Sequence, residues 1–262
     1  MQEQINRSQW TDHPWELIDT GPQSPQRHMA LDQVLLDEVN AGIRPPTLRF
    51  WDWASPAVVI GTFQSVRNEV DTTTAANLGV QIVRRITGGG AMFVEPGNSI
   101  TYSVYAPKSL VAGMSFSEGY EAMDAFVLAA LSDLGIKAWY EPLNDIASEI
   151  GKLAGAAQAH RENAILHHVT MSYNIDVGKL VQVLRIGKEK LSDKGTKSAV
   201  KRVDALRRQT GLERDEIIAS MTNTFKRRHG LKKVDFDASV WNKVDRLVDE
   251  KFSTDEWLYK VR

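Results

Sequence analysis

Cysteine is absent from this chain of 262 residues. Disulfide bonds, thiolate metal ligands and a cysteine nucleophile are therefore excluded. Long apolar runs are absent as well: none approaches the roughly 18 residues that a membrane-spanning helix needs, and residues 1–14 lack the apolar core of a secretion signal. We expect residues 1–14 to be a flexible lead-in to a single domain over 15–262, in a cytoplasmic protein without a membrane partner.

A strong charge of either sign is also missing. The 32 Lys and Arg residues balance 33 Asp and Glu, so nothing draws the whole chain towards nucleic acid or a membrane. Residues 185–208 are the local exception, with nine Lys or Arg against three Asp or Glu. This segment is either a solvated face or a basic rim for phosphates and an acidic partner. No aromatic residues are interleaved with its cations, which disfavours nucleic acid.

Strand and helix patterns follow one another without a regular βαβ rhythm, which favours an α+β fold over a doubly wound sheet. The alternation in residues 99–105 predicts a strand with one wet face. Thr210 and Glu213 predict a capping box that opens a helix ending at Gly230. Further strands are predicted at 15–19, 47–53, 57–63, 136–141 and 164–175, and helices at 27–42, 71–79, 115–135 and 238–251.

Residues 84–90, RRITGGG, place two cations beside three glycines. One interpretation is a loop whose backbone closely approaches a ligand, with arginine beside it. The other is a tight turn that needs positive φ. The sequence has neither GxxxxGK[S/T] nor GxGxxG before a helix, so a phosphate loop at a helix start is not indicated. Strand alternation places Arg84 and Arg85 on opposite faces.

Residues 143–161 form a second unit, in which Asn144 and Asp145 precede Gly151–Lys152 and the small residues of Gly155–Ala157. Small residues let a ligand lie against the backbone, and lysine supplies a compact charge. A hairpin turn with an exposed lysine is the alternative. Next along the chain, His167 and His168 are adjacent in a strand, point to opposite faces and cannot chelate one metal. A hydrogen-bonding role is favoured for them over a zinc site.

Together these segments resemble the lipoate–protein ligase A family, which has the biotin/lipoate protein ligase fold. RRITGGGAMFVEPGN is similar to the family signature R-R-x-S/T-G-G-G-A-V-F/Y-H-D-x-G-N. The strand pair ending in GTFQ, the NDI and GKLAGAAQ segments, LHHVTMSYNID and GTKSAVKRVDAL are similar to further ordered motifs. The resemblance implies an α+β catalytic domain with a mixed, largely antiparallel sheet flanked by helices.

The resemblance also implies a reaction. Lipoate and ATP form lipoyl-AMP, and the lipoyl group passes to a lysine on a lipoyl domain of a 2-oxoacid dehydrogenase E2 subunit or on a glycine-cleavage H-like protein. Lys152 is matched as the catalytic residue, acting by charge stabilisation, and Asp145 as a residue that holds Mg²⁺ or positions Lys152. The remaining matched binding residues are Arg85, Thr87, Gly88, Gly89, Gly90, Met92, Asn144, Gly155, Ala156, Ala157 and His168.

Four features depart from the family pattern. Val94–Glu95 replaces the signature His-Asp, Val169 replaces a glycine after the histidine pair, and Asp204 replaces an asparagine. The small accessory domain that follows in many members is not seen: either a separate subunit supplies it, which we expect, or the enzyme works without one. These changes bear on acyl specificity first.

Three rival functions remain. An octanoyl- or lipoyltransferase is disfavoured because those relatives hold the acyl group on a cysteine, which this chain lacks. Biotin ligases carry a different motif, G-R-G-R-x. A non-catalytic subunit that binds lipoyl domains has no need of Lys152, Arg85 and Asp145.

Overall fold

The computed structural model describes residues 9–185 and 205–262, whose strands form two sheets. In the large sheet the order is β11-β1-β2-β6-β10-β9-β8-β7, and in the small sheet β4-β3-β5. The strands are β1 (Glu16–Gln23), β2 (Thr47–Trp53), β3 (Ala57–Ile60), β4 (Gln81–Arg84), β5 (Met92–Val94), β6 (Ser99–Pro107), β7 (Ala138–Glu141), β8 (Asp145–Ser148), β9 (Lys152–His160), β10 (Ala164–Ser172) and β11 (Lys232–Val234). In the large sheet β1 pairs parallel with β2 and β11, and the other pairs are antiparallel. The predicted α+β class with a mixed, largely antiparallel sheet is confirmed.

Helices pack on both faces of the large sheet. The first, α1, contacts β6 and β10 on one face and also β4 of the small sheet, while α4 and α7 pack together on the other face. The helices are α1 (Pro25–Asn40), α2 (Val66–Glu69), α3 (Thr72–Asn77), α4 (Phe116–Asp133), α5 (Val177–Val183), α6 (Leu206–Thr210), α7 (Arg214–His229), α8 (Ala238–Leu247) and α9 (Asp255–Leu258). In the described part of the chain, none is both long and apolar enough to cross a membrane.

Side-chain caps set several helix starts. Ser24 accepts a hydrogen bond from the Arg27 amide at the start of α1, and Ser115 and Glu118 form the predicted capping box of α4. The box predicted from Thr210 and Glu213 is wrong. Thr210 ends α6, and α7 opens instead with a reciprocal box between Glu213 and Glu216.

Two other expectations are corrected. Strand β6 has no wet face: Ser99–Ala106 are all buried, because β6 lies between β2 and β10 with helices on both sides. The packed chain also begins before residue 15. Trp10 is buried, stacks on Trp15 with ring centroids 5.3 Å apart and accepts the Trp15 indole hydrogen bond at its carbonyl.

Candidate functional site

Arg85 holds the conformation of the glycine run through hydrogen bonds to its backbone. Its guanidinium is buried and donates hydrogen bonds to Thr87 Oγ1 at 2.9 Å, Gly88 O at 2.6 Å and Gly90 O at 2.8 Å. Burial lowers the pKa of Arg85 to about 10, so the side chain stays cationic at neutral pH. The structure thus gives Arg85 the role of bracing the loop, with its hydrogen bonds directed to protein oxygens.

The glycine run has the positive φ that the turn interpretation predicted, and its backbone closely approaches neighbouring segments of the protein. Its approach to a ligand stays a prediction. Gly89 has φ +87°, where an L side chain is strained. A Cβ on Gly61, which follows β3, would lie 2.2 Å from Gly89 O, and a Cβ on Gly89 would lie 3.8 Å from Ala157 Cβ. The run is therefore pressed between the end of β3 and the small residues of β9.

A buried hydrogen-bonded chain continues from Arg85 through Thr87 to the large sheet. The Thr87 hydroxyl lies 2.7 Å from His168 Nε2, and His168 Nδ1 lies 2.7 Å from Asp32 Oδ2. Burial lowers the pKa of His168, so its ring is neutral. Because Nδ1–H faces the carboxylate, Nε2 accepts from Thr87, and the Thr87 oxygen in turn accepts from Arg85. The direction of each hydrogen bond from Arg85 to Asp32 is therefore determined, with a donor and an acceptor assigned at every step.

Asp32 is the anchor of this chain and was missed by sequence reasoning. Its Oδ1 accepts from Tyr105 OH, from Ser103 Oγ at 3.0 Å and from Arg49 Nη2 at 3.4 Å. Burial opposes the carboxylate, but its hydrogen bonds from His168 and Tyr105 and the positive charge of Arg49 outweigh burial and lower the pKa of Asp32. The available signal was an acid on the apolar face of α1, which predicts a partnered buried charge.

A register shift in the pairing of β8 with β9, after Ile146, brings Lys152 onto the face of β9 that carries Gly155 and Ala157. Its Nζ is 2.7 Å from Asp145 Oδ1, and its side chain is 46% exposed. Asp145 on β8 lies directly opposite Gly155 on β9. Ala157 is the register partner of His168 on β10, so the two share a face of the sheet. The structure therefore brings Lys152, Asp145, Gly155, Ala157 and His168 together beside the glycine run.

Gly155 makes room for the lysine. A Cβ there would lie 3.2 Å from Lys152 Nζ and 3.4 Å from Cε. The predicted hairpin alternative is also correct, since Ser148 and Gly151 close a turn between β8 and β9. The turn is compatible with the Lys152–Asp145 ion pair, because β9 begins at Lys152, directly after the turn.

Gly155→Ala is expected to lower activity about tenfold while changing the free energy of unfolding by less than about 1 kcal/mol. The backbone of Gly155 is not left-handed, so alanine fits the chain, but its methyl group displaces the Lys152 ammonium. Steady-state kinetics and urea unfolding check the two halves. Gly119→Ala is the matched control, because its Cβ would make ordinary 3.8 Å contact with Val111. Equal activity in the two variants would contradict the tight fit.

Other predicted residues are placed differently. Ala156 points to the opposite face and joins the core beneath α4. Asn144 binds the backbone of β9 instead, donating from Nδ2 to Ala156 O at 2.6 Å. Met92 packs partly buried against the core between α1 and the small sheet.

Of the residues that depart from the family pattern, Val94 and Val169 are buried in the core, and Glu95 forms an ion pair. Val94 is fully buried in the cluster that also holds Val59 and Trp53. Glu95, beside it, accepts a hydrogen bond from Lys179 Nζ at 2.7 Å. Val169 is buried on the α4 side of the sheet. Asp204 and residues 186–204 of the basic segment lie outside the described residues.

The histidine pair points to opposite faces, as predicted. His167 Nε2 lies 2.7 Å from Asp124 Oδ1 on α4, a carboxylate that also accepts from Tyr102 OH at 2.6 Å. Across residues 9–185 and 205–262 no group of three or more His, Asp or Glu is arranged to hold a metal ion. Asp145 already pairs with Lys152, so Mg²⁺ at Asp145 stays a prediction.

His28 makes stability depend on pH. It is buried on α1, stacks on Trp51 with centroids 4.8 Å apart and lies 2.8 Å through Nε2 from Asp52 O. Burial, with the charge of Arg49 adding to it, lowers its pKa to about 3. The unfolded chain binds a proton here below about pH 6.5 and the folded chain does not. Stability is therefore full above that pH and falls as the pH drops towards 3.

Between about pH 7 and pH 5, the free energy of unfolding of His28→Phe is expected to fall by about 2 kcal/mol less than that of the native protein. Each pH unit below about 6.5 is worth about 1.4 kcal/mol. The phenyl ring keeps the stack on Trp51 and cannot titrate. Urea unfolding at both pH values measures the difference. His13→Phe, at a partly exposed position, should keep the native acid sensitivity. The same acid loss in native protein and His28→Phe would show that His28 is not the source.

The α+β domain thus presents a lysine beside small residues of the large sheet, and the glycine run lies against the same strand. Residues 24–226 match the family model for the lipoyl protein ligase A/B catalytic domain. The chain belongs to this family, and the sequence resemblance to lipoate ligases is confirmed.

Named relatives and solved structures divide between two activities. Octanoyltransferase LipM of Exiguobacterium is 28% identical over 282 aligned positions, covering 95% of this chain and 99% of its own length. The bipartite lipoate protein ligase of Thermoplasma acidophilum has a TM-score of 0.81 at 27% identity, covering 95% and 96%. A lipoate-protein ligase A bound with ATP has a TM-score of 0.81 at 26% identity, covering 95% and 99%.

These likenesses establish an enzyme of lipoyl and octanoyl protein modification. They do not confirm the ATP-dependent ligase predicted from sequence. Curated relatives at 26–28% identity are octanoyltransferases. The comparisons therefore support the octanoyltransferase, which the missing cysteine disfavoured, better than the predicted ligase.

Proposed function

We propose that this chain transfers an octanoyl or lipoyl group to the ε-amino group of a lysine on a lipoyl domain. The observation that carries the proposal is Lys152, a partly exposed cation held by Asp145 over Gly155. Gly155 lies two residues along β9 from Ala157, which faces Gly89 of the glycine run. A fixed ammonium at that position stabilises the oxyanion that develops when an amine attacks an acyl carbonyl. The small residues Gly155 and Ala157 leave the backbone open to the acyl group.

The octanoyltransferase relatives support an activated octanoyl ester, such as a thioester, as the acyl donor. Because the chain has no cysteine, the acceptor amine attacks the donor carbonyl directly. A C–N bond forms and the C–S bond breaks, and the proton that the attacking amine loses passes to the leaving thiolate, which departs as a thiol. Lys152 stays cationic throughout and forms no covalent intermediate.

ATP-dependent ligation of lipoate is the second candidate. It is favoured by the missing cysteine and by the likeness to a lipoate-protein ligase A bound with ATP. The residues fit a nucleotide in that the run Gly88–Gly90 offers bare backbone and Lys152 offers a cation for phosphate. Bound ATP would supply the leaving group that a free carboxylic acid lacks. Asp145, beside Lys152, is the residue that would hold Mg²⁺ at this candidate site.

The acceptor would be a lipoyl domain of an E2 subunit or a glycine-cleavage H-like protein. The structurally similar ligase of T. acidophilum is described as bipartite and as acting with an E2 lipoyl domain. That description supports a separate accessory subunit as a further partner in the ATP-dependent route.

Incubation with a lipoyl domain and one donor at a time tests the proposal. The donors are an octanoyl thioester, octanoate with Mg²⁺–ATP, and lipoate with Mg²⁺–ATP, and the intact mass of the lipoyl domain is read. Transfer from the thioester without ATP supports the first candidate. Transfer only with ATP, together with pyrophosphate release, supports the second. Binding of the lipoyl domain without transfer from any donor would overturn both and leave a binding subunit.

A further inference from the structure

Arg84, the other arginine of the pair, joins two distant parts of the chain. Its guanidinium is fully buried. Nη1 donates to Gly61 O at 2.9 Å and Gln64 O at 2.6 Å, and Nη2 donates to Leu258 O at 2.6 Å. Nε lies 3.0 Å from both Trp257 O and Leu258 O. One cation thus holds the loop after β3 and the segment around α9.

The hydrogen-bond partners of this cation are backbone carbonyls. Within residues 9–185 and 205–262, no carboxylate lies within 4.0 Å of the Arg84 guanidinium in an ion pair. A buried cation without a carboxylate depends on its remaining hydrogen bonds. If either segment moved away, the guanidinium would lose partners that nothing else nearby replaces. The two segments are therefore coupled through Arg84.

Residues 255–262, here called the strap, pack on the domain through partly buried side chains. Trp257 lies edge-on to Phe252 with ring centroids 5.8 Å apart, and Leu258 packs against the cluster that holds Val58 and Ile60. Helix α9 contains no buried residue. The Trp257 indole donates to Arg84 O at 2.9 Å, Lys260 Nζ donates to Thr62 Oγ1 at 2.6 Å, and the Lys260 ammonium lies 3.9 Å from the Trp257 ring centroid. Because no side chain of α9 is fully buried, the loss of a few of these hydrogen bonds lowers the cost of opening the segment locally.

The loop of residues 61–64 is what the strap holds in place, and it forms one side of the glycine run. Thr62 N donates to Thr87 O at 2.8 Å. Gly61 packs so close to Gly89 that no Cβ fits, and the Phe63 ring would be 3.7 Å from a Cβ on Gly88. Arg85 braces the run from one side, and Arg84 with the strap braces the loop that covers the other.

We propose that Arg84 is a positioning residue and that the strap, acting through it and through Lys260, sets how tightly loop 61–64 closes on Gly88–Gly90. The acyl group of the proposed reaction lies against that run, so release of the strap loosens acyl binding. The predicted weakening of acyl binding rests on the proposed function. The predicted loosening of loop 61–64 does not depend on it.

Lys260→Met with Trp257→Phe tests the strap in the full chain. The double variant removes the hydrogen bonds to Thr62 Oγ1 and Arg84 O and keeps an aromatic ring at 257. Lys233→Met is the matched control, because Lys233 makes an exposed pair with Asp19 at 3.1 Å. Hydrogen exchange is followed on peptides covering 61–64 and 87–90, with a peptide of β10 as internal reference.

We expect exchange in both loop peptides to accelerate at least about tenfold while β10 is unchanged. In the transfer assay we expect KM for the acyl donor to rise about five- to tenfold with kcat within about twofold. Unchanged exchange in the loop peptides would overturn the proposal, and so would equal acceleration in β10. An inactive native protein would refute the proposed function and leave the exchange result to judge the strap. A faster loop without a change in KM would refute the link to acyl binding.

Discussion

Replacing Lys152 with methionine is expected to lower kcat for acyl transfer about a thousand-fold, whichever donor is used. Methionine keeps most of the side-chain length and removes the charge that faces the developing oxyanion. Asp145 is left without its partner, but it lies near the surface, where the loss of one ion pair costs less than about 1 kcal/mol of stability. The variant should therefore lose most of its activity while its free energy of unfolding changes little.

Single-turnover kinetics measure the loss, and urea unfolding verifies the fold. Lys137→Met is the matched control: Lys137 also pairs with an acid at 2.8 Å, but it is 80% exposed and precedes β7. The control should retain full activity. If Lys152→Met keeps more than about a tenth of the native rate, charge stabilisation by Lys152 is not the basis of catalysis.

Asp32→Asn is expected to lower the free energy of unfolding by about 3–5 kcal/mol, because it removes the negative member of a buried charge cluster. Arg49 and Arg85 then remain buried with less compensation. An asparagine that keeps its Oδ1 towards Tyr105 and Ser103 presents its NH₂ group to His168 Nδ1–H. The imidazole must shift its proton to Nε2, which breaks the ordered chain through Thr87 to Arg85.

Chemical unfolding near neutral pH measures the effect, and NMR of the histidine ring nitrogens reports the tautomer of His168. Asp37→Asn lies on the same helix and breaks a partly exposed pair with Arg161 at 2.9 Å, so it should cost less than about 1 kcal/mol. Similar losses in the two variants would mean that Asp32 does not anchor the site.

Local rules predicted much of the fold. Capping at Ser115 and Glu118, the strand at 47–53 and the hairpin before Lys152 follow from neighbours in sequence, and each is present. Strand β6 was predicted with a wet face because serine and threonine alternate along it. The hydroxyls of Thr101 and Ser103 instead accept indole hydrogen bonds from β2, a pairing between distant segments that no local pattern reveals.

The candidate site was predicted in part for the same reason. Lys152, Asp145 and Gly155 lie within one hairpin, so their proximity follows from chain order. Asp32 reaches His168 across 136 residues, and Arg84 reaches Leu258 across 174. Both partnerships depend on tertiary packing. The family motif identified Arg85 but not its task, because only the fold shows that its guanidinium bonds to the carbonyls of Gly88 and Gly90.

The most direct measurement is the site and donor dependence of acyl attachment on a purified lipoyl domain, followed by tandem mass spectrometry. Incubated with an octanoyl thioester, the native chain should place one octanoyl group on one lysine of the domain, and Lys152→Met should place almost none. No acylated enzyme peptide should accumulate, because the chain has no cysteine to carry the group. An unmodified lipoyl domain with the thioester and with both acids plus ATP would contradict the account.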